Sequence, residues 1–190
     1  MKLQLGASDA FFPVPAALIG CGTMEAPNMI TIAWISIVTK TPPTIGMSLK
    51  KTRHSFKLIK ETGEFTVNIP QAKDYKEVDY CGIVSGSDTN KFADINFTPV
   101  KGAKVTAPII KECPYNMECR VSQEIDLGDY VLILGEIVET HIDEDKVTDS
   151  KIDIAKVDPL VYAARVRDYW SLGKKIGDGF AAGKRIASPK

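Results

Sequence analysis

The segment Asn28–Pro70, NMITIAWISIVTKTPPTIGMSLKKTRHSFKLIKETGEFTVNIP, contains most of what decides the fold. Its first part, Met29–Val38, is β-branched and apolar on both faces, which predicts a central buried strand. The Thr-Pro-Pro-Thr break that follows cannot be helical, and Gly46–Leu49 behind it is predicted to be a second strand. Glu64–Ile69 alternates apolar and polar residues as a half-buried strand does. These segments predict a domain built mainly from β-strands.

The second half of the chain adds strands of the same kind. Asn116–Ile125 and Tyr130–His141 flank a turn-like Asp126–Asp129, which predicts a β-hairpin. Leu160–Val166 is predicted to be the last strand. Strands and helices do not alternate regularly along the chain, which argues against a parallel Rossmann sheet.

Fewer segments favour helices. Thr52–Thr62 has Thr52 as a candidate N-cap and Gly63 as the residue that ends the helix. Asp74–Val84 begins with Asp-x-x-Glu, which resembles a capping box. Lys91–Val105 is irregular and polar, and we expect it to leave the main domain as a peripheral excursion.

Composition limits the classes of function. The chain has 190 residues, enough for one domain, and its 24 basic residues balance 24 acidic ones. No basic field favours a nucleic-acid partner. No window approaches the roughly 20 apolar residues of a membrane helix, and the N-terminus is a poor signal peptide. We therefore expect a soluble cytoplasmic protein without a nucleic-acid or membrane partner.

Metal chemistry has little support in the sequence. There are two histidines, His54 and His141, and no HExxH motif. Cys113 and Cys119 lack the paired spacing of a zinc site. The four cysteines are too few for a disulfide scaffold and are expected to be thiols. Dinucleotide, Walker and GxSxG motifs are absent as well.

The turn Ser48–Ser55, SLKKTRHS, is the most informative polar stretch. It gathers cations, hydroxyl groups and the free N–H groups of a helix start, which are the parts of a phosphate site. A strand with Trp34 beside exposed backbone groups would suit a flat heteroaromatic ring. A solvated basic turn beside a buried tryptophan explains the same residues equally well.

The order of several short motifs resembles the flavin reductase-like family of FMN-binding split barrels, and especially its flavoredoxin branch. These motifs are N-x-x-T-x-A-W, P-P-x-x-x-x-S-L, H-S and G-E-F-x-V-N-I-P, followed by Asp79–Gly86 and Asn90-Lys91-Phe92. The resemblance extends from about Phe11 to Tyr169. It implies a six-stranded split β-barrel with Greek-key topology and two or three peripheral helices. It also implies a homodimer that holds FMN near its interface.

The resemblance implies site residues by position. The contacts to the isoalloxazine ring and ribityl chain would be Asn28, Thr31, Ala33, Trp34 and Ser36. The contacts to the ribityl and phosphate groups would be Ser48, Leu49, Lys50, Thr52, His54 and Ser55. Lys91, with Phe92 beside it, is similar to a family lysine that reaches the flavin. No catalytic side chain is expected, because the flavin supplies the chemistry.

One triplet leaves the electron donor open. Family members that use NAD(P)H commonly carry Gly-Asp-His where this chain has Gly128-Asp129-Tyr130. This favours an electron-transfer flavoprotein with a protein redox partner. The alternatives are an NAD(P)H:flavin oxidoreductase and a non-catalytic flavin-binding module.

A few further residues have two explanations each. Cys81 is expected to be a small buried hydrophobe rather than a redox thiol. The pair Tyr169-Trp170 could stack on a flavin or close a core. His141 is expected to be solvated. Residues 1–172 are expected to form the FMN-binding split-barrel domain, and 173–190 a C-terminal tail that is frayed or ordered only by a partner.

Overall fold

The computed structural model describes residues 1–187 of the chain, and the fold is mainly β as expected. Among these residues the strands are β1 Val14–Pro15, β2 Ala17–Gly22, β3 Pro27–Ile32, β4 Ile35–Lys40, β5 Pro43–Lys50, β6 Glu64–Ile69, β7 Pro99–Val100, β8 Ile109–Ile110, β9 Tyr115–Leu127, β10 Tyr130–Ile142, β11 Val147–Thr148, β12 Lys151–Ile152, β13 Val161–Ala163 and β14 Asp168–Trp170. The α-helices are α1 His54–Thr62, α2 Tyr75–Ile83, α3 Lys91–Asp94, α4 Ile154–Val157 and α5 Lys184–Ala187.

Seven strands form one antiparallel sheet in the order β3-β2-β6-β9-β10-β5-β4. Strands β3 and β4 lie at opposite edges of this sheet, yet only Ala33 and Trp34 separate them in sequence. Six strand spacings of a flat sheet would span about 29 Å. The Cα atoms of Ile32 and Ile35 can be at most about 11 Å apart. The sheet must therefore be strongly curved, although regular pairing in the described part of the chain does not close it into the expected six-stranded barrel.

The prediction of one strand over Met29–Val38 was wrong in two respects. The chain leaves the sheet at Ala33 and re-enters it at the opposite edge, so the segment forms two strands. Strand β4 lies at an edge of the sheet and is mostly exposed, with Ile37 57% and Val38 48% accessible. Only the β3 half is buried as predicted.

Other sequence predictions were closer. Glu64–Ile69 is a strand with the predicted bounds, and it is central because β2 and β9 flank it. It is buried on both faces, since Phe65 and Val67 pack in an apolar cluster while Thr66 and Asn68 bond to the chain around Pro108 and Ile110. The long hairpin is confirmed as β9 and β10, and Gly128 takes the positive φ of 78° that its turn requires. Strand β2, a fully buried apolar run, was missed. The predicted strand over Leu160–Val166 is shorter, and β14 pairs with it after a turn.

Both longer helices begin later than predicted. Helix α1 starts at His54, and Thr52 does not cap it, because the N-cap residue is Arg53. Gly63 ends the helix in the left-handed conformation, as expected. Helix α2 follows a 3₁₀ turn over Ala72–Asp74, whose capping box joins Gln71 and Asp74. The five α-helices of the described chain also exceed the expected two or three.

Two apolar clusters lie on opposite faces of the sheet. Alternate residues of β3 supply both, since Ile30 and Ile32 face the first cluster and Met29 faces the second. Helix α1 packs Ile59 into the first cluster. Helices α2 and α3 pack Val78 and other side chains onto the second. We call this second cluster the outer apolar cluster. It fixes α2 and α3 against β3, the edge strand that borders the candidate site.

A row of buried polar side chains holds the segment 102–112 against the sheet. Thr66 and Asn68 on β6 lie opposite Glu118 and Asn116 on β9. Thr66 Oγ1 donates to the Pro108 carbonyl at 2.6 Å, and Asn68 Oδ1 accepts from the N–H of Ile110 at 3.0 Å. Side chains of the sheet therefore hold this segment, which adjoins and overlaps the predicted excursion Lys91–Val105, in a defined conformation.

Glu118 is the member of this row whose burial costs the most free energy, because its carboxylate is fully buried. It accepts backbone N–H bonds from Ala103 and Lys104 at 2.7 Å and from Val105 at 2.8 Å. His141 Nε2 lies 2.5 Å from its Oε1, so the expectation of a solvated His141 was wrong. Burial alone would raise the pKa of Glu118, but these bonds outweigh it and hold the pKa below its ordinary value of 4.5. We call this arrangement the Glu118 clamp.

The C-terminal tail lies outside the sheets. Residues 173–178 have no regular secondary structure, and α5 follows after a turn. The remaining part of the predicted tail, 188–190, lies outside the described residues. None of the helices within residues 1–187 combines the length and the apolar character needed to cross a bilayer.

Replacing Glu118 with glutamine should lower the free energy of unfolding at pH 7 by on the order of 3 kcal/mol. Because the folded-state pKa of Glu118 is depressed, its contribution is present above pH 4.5 and is lost as pH falls through the folded pKa. The difference between wild type and Glu118→Gln should therefore shrink on acidification. Urea denaturation at several pH values measures it.

Glu124→Gln is a matched control, because Glu124 is an exposed glutamate on the same strand. Its free energy of unfolding should follow wild type across the pH range. Equal stability of Glu118→Gln and Glu124→Gln at pH 7 would contradict the clamp.

Candidate functional site

A cleft with a volume of about 170 Å³ opens where the two edges of the curved sheet approach each other. Strand β3 and the Ala33-Trp34 link form one wall, and the end of β5 forms the other. The residues that line the cleft are Ile30, Thr31, Ile32, Ala33, Trp34, Ser48, Leu49, Lys50, Arg53 and Tyr130. The cleft is open to solvent on one side, so a ligand longer than its volume can extend outward.

Two aromatic rings stand at the mouth of the cleft. The centroids of Trp34 and Tyr130 are 5.4 Å apart, with ring planes tilted by 39°. Lys50 Nζ lies 5.5 Å from the centre of the Tyr130 ring. Trp34 is 44% accessible, which is high for an indole. The mouth therefore offers aromatic surface and a cation to a flat, electron-rich ligand.

The start of helix α1 lies at the base of the cleft and is uncapped. Its N-cap residue Arg53 makes no side-chain capping bond, and no acidic residue occurs in the first turn. The turn before it is closed by the Arg53 N–H bond to the Lys50 carbonyl at 3.1 Å. Free helix N–H groups beside Lys50 and Arg53 form an arrangement that attracts an anion such as a phosphate.

Hydrogen bonds fix the floor beneath this helix start. Asn28 Nδ2 donates to Ser55 Oγ at 2.9 Å and contacts Cys21 Sγ at 3.4 Å. All three side chains are buried. These bonds join strands β2 and β3 to the first turn of α1, so the helix start cannot shift independently of the edge strand.

Lys91 lies behind the same edge strand and not in the cleft. Its Nζ donates to the Met29 carbonyl at 2.9 Å and to the Cys81 carbonyl at 2.8 Å, and the residue is 3% accessible. Burial lowers the pKa of this ammonium group. Lys91 therefore links β3 to α2 through backbone acceptors.

The structure brings together about half of the residues predicted for the site. Thr31, Ala33, Trp34, Ser48, Leu49 and Lys50 line the cleft. Asn28 and Ser55 lie beneath it and are bonded to each other, whereas Thr52 and His54 lie in and after the adjoining turn without lining it.

Two predicted residues lie elsewhere. Ser36 is on the exposed strand β4, opposite Gly46, and Phe92 is packed in the outer apolar cluster.

Sequence reasoning missed four residues of the cleft wall, the apolar Ile30 and Ile32 of β3 and the polar Arg53 and Tyr130. Arg53 belongs to the same basic turn that drew attention to Lys50, so charge in that turn was a usable signal. Tyr130 was singled out only as the last residue of the Gly-Asp-Tyr triplet. Its approach to Trp34 depends on pairing between β10 and β5, which the sequence does not specify.

The thiols around the site are not poised for chemistry. Burial raises the pKa of Cys21 and of Cys81 to about 11, and that of Cys119 to about 12. Cys81 belongs to the outer apolar cluster, as expected for a small hydrophobe. Among residues 1–187, no group of three histidine, cysteine or acidic side chains could hold a metal ion.

Comparison with known proteins adds to this geometry. The family model for the flavin reductase like domain matches residues 9–171 of this chain. The chain belongs to this family. A protein of Archaeoglobus fulgidus is 40% identical over 147 residues, which are 77% of this chain and 81% of the relative.

Solved structures agree on the fold. The flavoredoxin of Desulfovibrio vulgaris (Miyazaki F) is 36% identical with a TM-score of 0.92, over 96% of this chain and all of that protein. The flavoredoxin from Methanosarcina acetivorans is 33% identical with a TM-score of 0.91, over 98% of this chain and 99% of that one. The resemblance to the flavoredoxin branch is thereby confirmed. A protein with a split barrel domain from Shewanella frigidimarina shares the fold with a TM-score of 0.79, over 89% of this chain and 87% of that one.

In the native protein at neutral pH, none of the four cysteines should react with a chromogenic disulfide reagent, because all are buried and their thiolate fraction is small. All four should react in denaturant. Ser87→Cys, at an exposed position, is the positive control and should react at once. Rapid labelling of Cys81 in the native protein would restore the case for a redox thiol.

Proposed function

We propose that this protein binds FMN in the cleft between β3 and β5 and transfers electrons through it. The observation that carries the proposal is that an unpaired strand edge and an uncapped, cation-flanked helix start border the same cleft. A flavin mononucleotide has a flat ring with polar edges and a phosphate at the other end of a short chain. The two halves of the cleft match those two ends.

The phosphate would lie at the start of α1. Lys50 and Arg53 supply positive charge there, and the first N–H groups of the helix supply donors. The hydroxyl groups of Ser48 and Thr52 are close in sequence and suit the phosphate or the ribityl chain. A diphosphate or a second nucleotide is not needed to satisfy these groups.

The ring would lie along the outer edge of β3 beside Trp34. The backbone groups of Ala33 are available there, since the chain is between two strands at this point, whereas the Trp34 carbonyl accepts from the Ser48 N–H at 2.9 Å. The volume of about 170 Å³ is below the roughly 300 Å³ of typical small-molecule pockets, so part of the ring would remain outside. A homodimer, with the second copy covering the open side, would complete the site.

The flavin would supply the redox chemistry by accepting and releasing electrons in its ring. The residues of the chain would bind and orient it. The positive charge of Lys91, behind β3, would favour an anionic reduced flavin electrostatically. No side chain of the cleft is needed as a nucleophile or a general base.

Tyr130 favours a protein redox partner over a nicotinamide nucleotide as the source of electrons. Its ring rests against Trp34, with Lys50 on it, where an NAD(P)H-using relative is expected to present a histidine. Membership of a flavin reductase family favours the second candidate, an NAD(P)H:flavin oxidoreductase. A protein that only stores flavin is the third and would turn over with neither donor.

Replacing Lys50 or Thr52 with alanine should weaken FMN binding about tenfold or more, because contacts to a charged phosphate are worth about 1.5–3 kcal/mol each. Fluorescence quenching of FMN on titration with apoprotein measures the dissociation constant. Lys57→Ala removes a charge from the exposed side of the same helix and should bind FMN as wild type does. Wild-type affinity in both Lys50→Ala and Thr52→Ala would overturn the phosphate assignment.

Stopped-flow mixing of the FMN-loaded protein with NADH or NADPH should bleach the flavin absorbance only slowly. Dithionite is the positive control and should bleach it completely. Rapid bleaching by either nucleotide would replace the electron-transfer proposal with the flavin oxidoreductase.

A further inference from the structure

The outer face of the small sheet near the C-terminus is apolar and uncovered. Strands β1, β13 and β14 form this three-stranded sheet, separate from the main one. One of its faces packs Tyr162 and Tyr169 against the outer apolar cluster. An antiparallel sheet with one face on a core ordinarily presents polar side chains to solvent on the other. Here the alternate residues Val161, Ala163 and Trp170 are apolar instead.

A groove with a volume of about 480 Å³ runs along this outer face. Phe12 and Val166 add apolar walls to it. Trp170 and Val166 are each 60% accessible, and Phe12 is 61% accessible. Among the described residues that line the groove, Asp168 is the only charged one. Exposed apolar surface gathered in this way is typical of an interaction site. We call it the β14 groove.

The chain leaves the β14 groove as a tail that forms a turn of its own. Gly173 still lines the groove. Lys175 Nζ then lies 2.5 Å from Asp178 Oδ1, and the Ala182 N–H donates to the Asp178 carbonyl at 3.1 Å. These two bonds give the tail a defined shape, and we call residues 175–182 the hook.

The hook exposes two large apolar side chains. Ile176 is 103% accessible and Phe180 is 101% accessible, so neither is shielded by any part of residues 1–187. Phe180 also has a φ of 58°, a left-handed conformation that is unfavourable for a bulky side chain. An exposed aromatic ring on a strained backbone costs free energy in the single chain. A second molecule that buries the ring would offset that cost.

We propose that the hook of one copy of this chain inserts Phe180 into the β14 groove of a second copy, which returns its own hook. The ring of Phe180 packs against Trp170, since offset aromatic pairs are favourable. The exchange is reciprocal about a twofold axis, so each pair of chains buries two hooks. It names a contact surface for the homodimer of the proposed function, and it rests on that homodimer but not on FMN.

A second copy is favoured as the occupant by the shape and the charge of the hook. The groove of the same chain does not receive Phe180, because full accessibility means that its ring meets no surface of that chain. The hook and its flanks carry the cations Lys174, Lys175 and Lys184 against one carboxylate, Asp178. This excess of positive charge complements Asp168 in the groove.

Disulfide cross-linking tests the exchange, because all four native cysteines are buried. The full-length double variant Phe180→Cys/Ala163→Cys is oxidised with glutathione disulfide, and its linked peptides are identified by mass spectrometry. We expect a covalent dimer joined between positions 163 and 180. A monomer with that link inside one chain would overturn the proposal, because the tail would then occupy its own groove. Absence of the link would overturn it as well.

The matched control is Phe180→Cys/Leu127→Cys. Leu127 is an apolar residue, 55% accessible, at the tip of the β9–β10 hairpin and outside the β14 groove. No link between positions 127 and 180 is expected. Equal yields of the two links would mean random collision and would overturn the exchange.

Sedimentation equilibrium measures how much the hook contributes. Phe180→Asp should raise the dissociation constant of the dimer about a hundredfold or more, because burial of each of the two rings contributes roughly tenfold or more. The fold should stay intact, since Phe180 is fully exposed in the single chain. Leu127→Asp should sediment as wild type does. Equal dissociation constants for Phe180→Asp and Leu127→Asp would overturn the proposal.

Titration with FMN separates this inference from the flavin assignment. A protein that forms the 163–180 cross-link but takes up no FMN would refute the proposed flavin function and leave the exchange standing. A wild-type protein that binds FMN and sediments as a monomer would overturn the exchange and leave the flavin assignment standing.

Discussion

The two-residue link between Ile32 and Ile35 constrains the rest of the structure. Since β3 and β4 lie at opposite edges of a seven-stranded sheet, so short a link is possible only if the sheet curves until its edges meet. At the meeting point the Trp34 carbonyl bonds to the Ser48 N–H of β5, while Ala33 lies outside both strands and its backbone groups are left for a ligand. The cleft thus exists because the two edges of the sheet approach each other without pairing along their full length.

Much of the fold could be predicted from local pattern. Alternation and turn residues located Glu64–Ile69, the β9–β10 hairpin and the helix that ends at Gly63, because these depend on neighbours in the sequence. The division of Met29–Val38 could not be predicted in the same way. Its residues favour a strand throughout, and only the position of the edges in the folded sheet forces the break at Ala33.

The candidate site was predictable where its residues are close in sequence. The basic turn around Lys50 carries its own signal in charge and spacing, and ordered motifs connected it with Trp34. Tyr130 and Lys91 depend on contacts more than 60 residues apart along the chain, such as the bond from Lys91 to the Met29 carbonyl. Burial of that ammonium and the stacking of Tyr130 arise from tertiary packing, which local pattern does not contain.

The Glu118 clamp has a consequence for the pairing of the long hairpin. Three backbone N–H groups of residues 103–105 depend on one carboxylate of β9, and that carboxylate also meets His141 of β10. A slip of β9 by a single residue would turn Glu118 to the other face of the sheet and leave all three donors without an acceptor. The clamp therefore favours the native register of β9 and β10, because the segment 103–105 can bond to the sheet only when the hairpin is correctly paired.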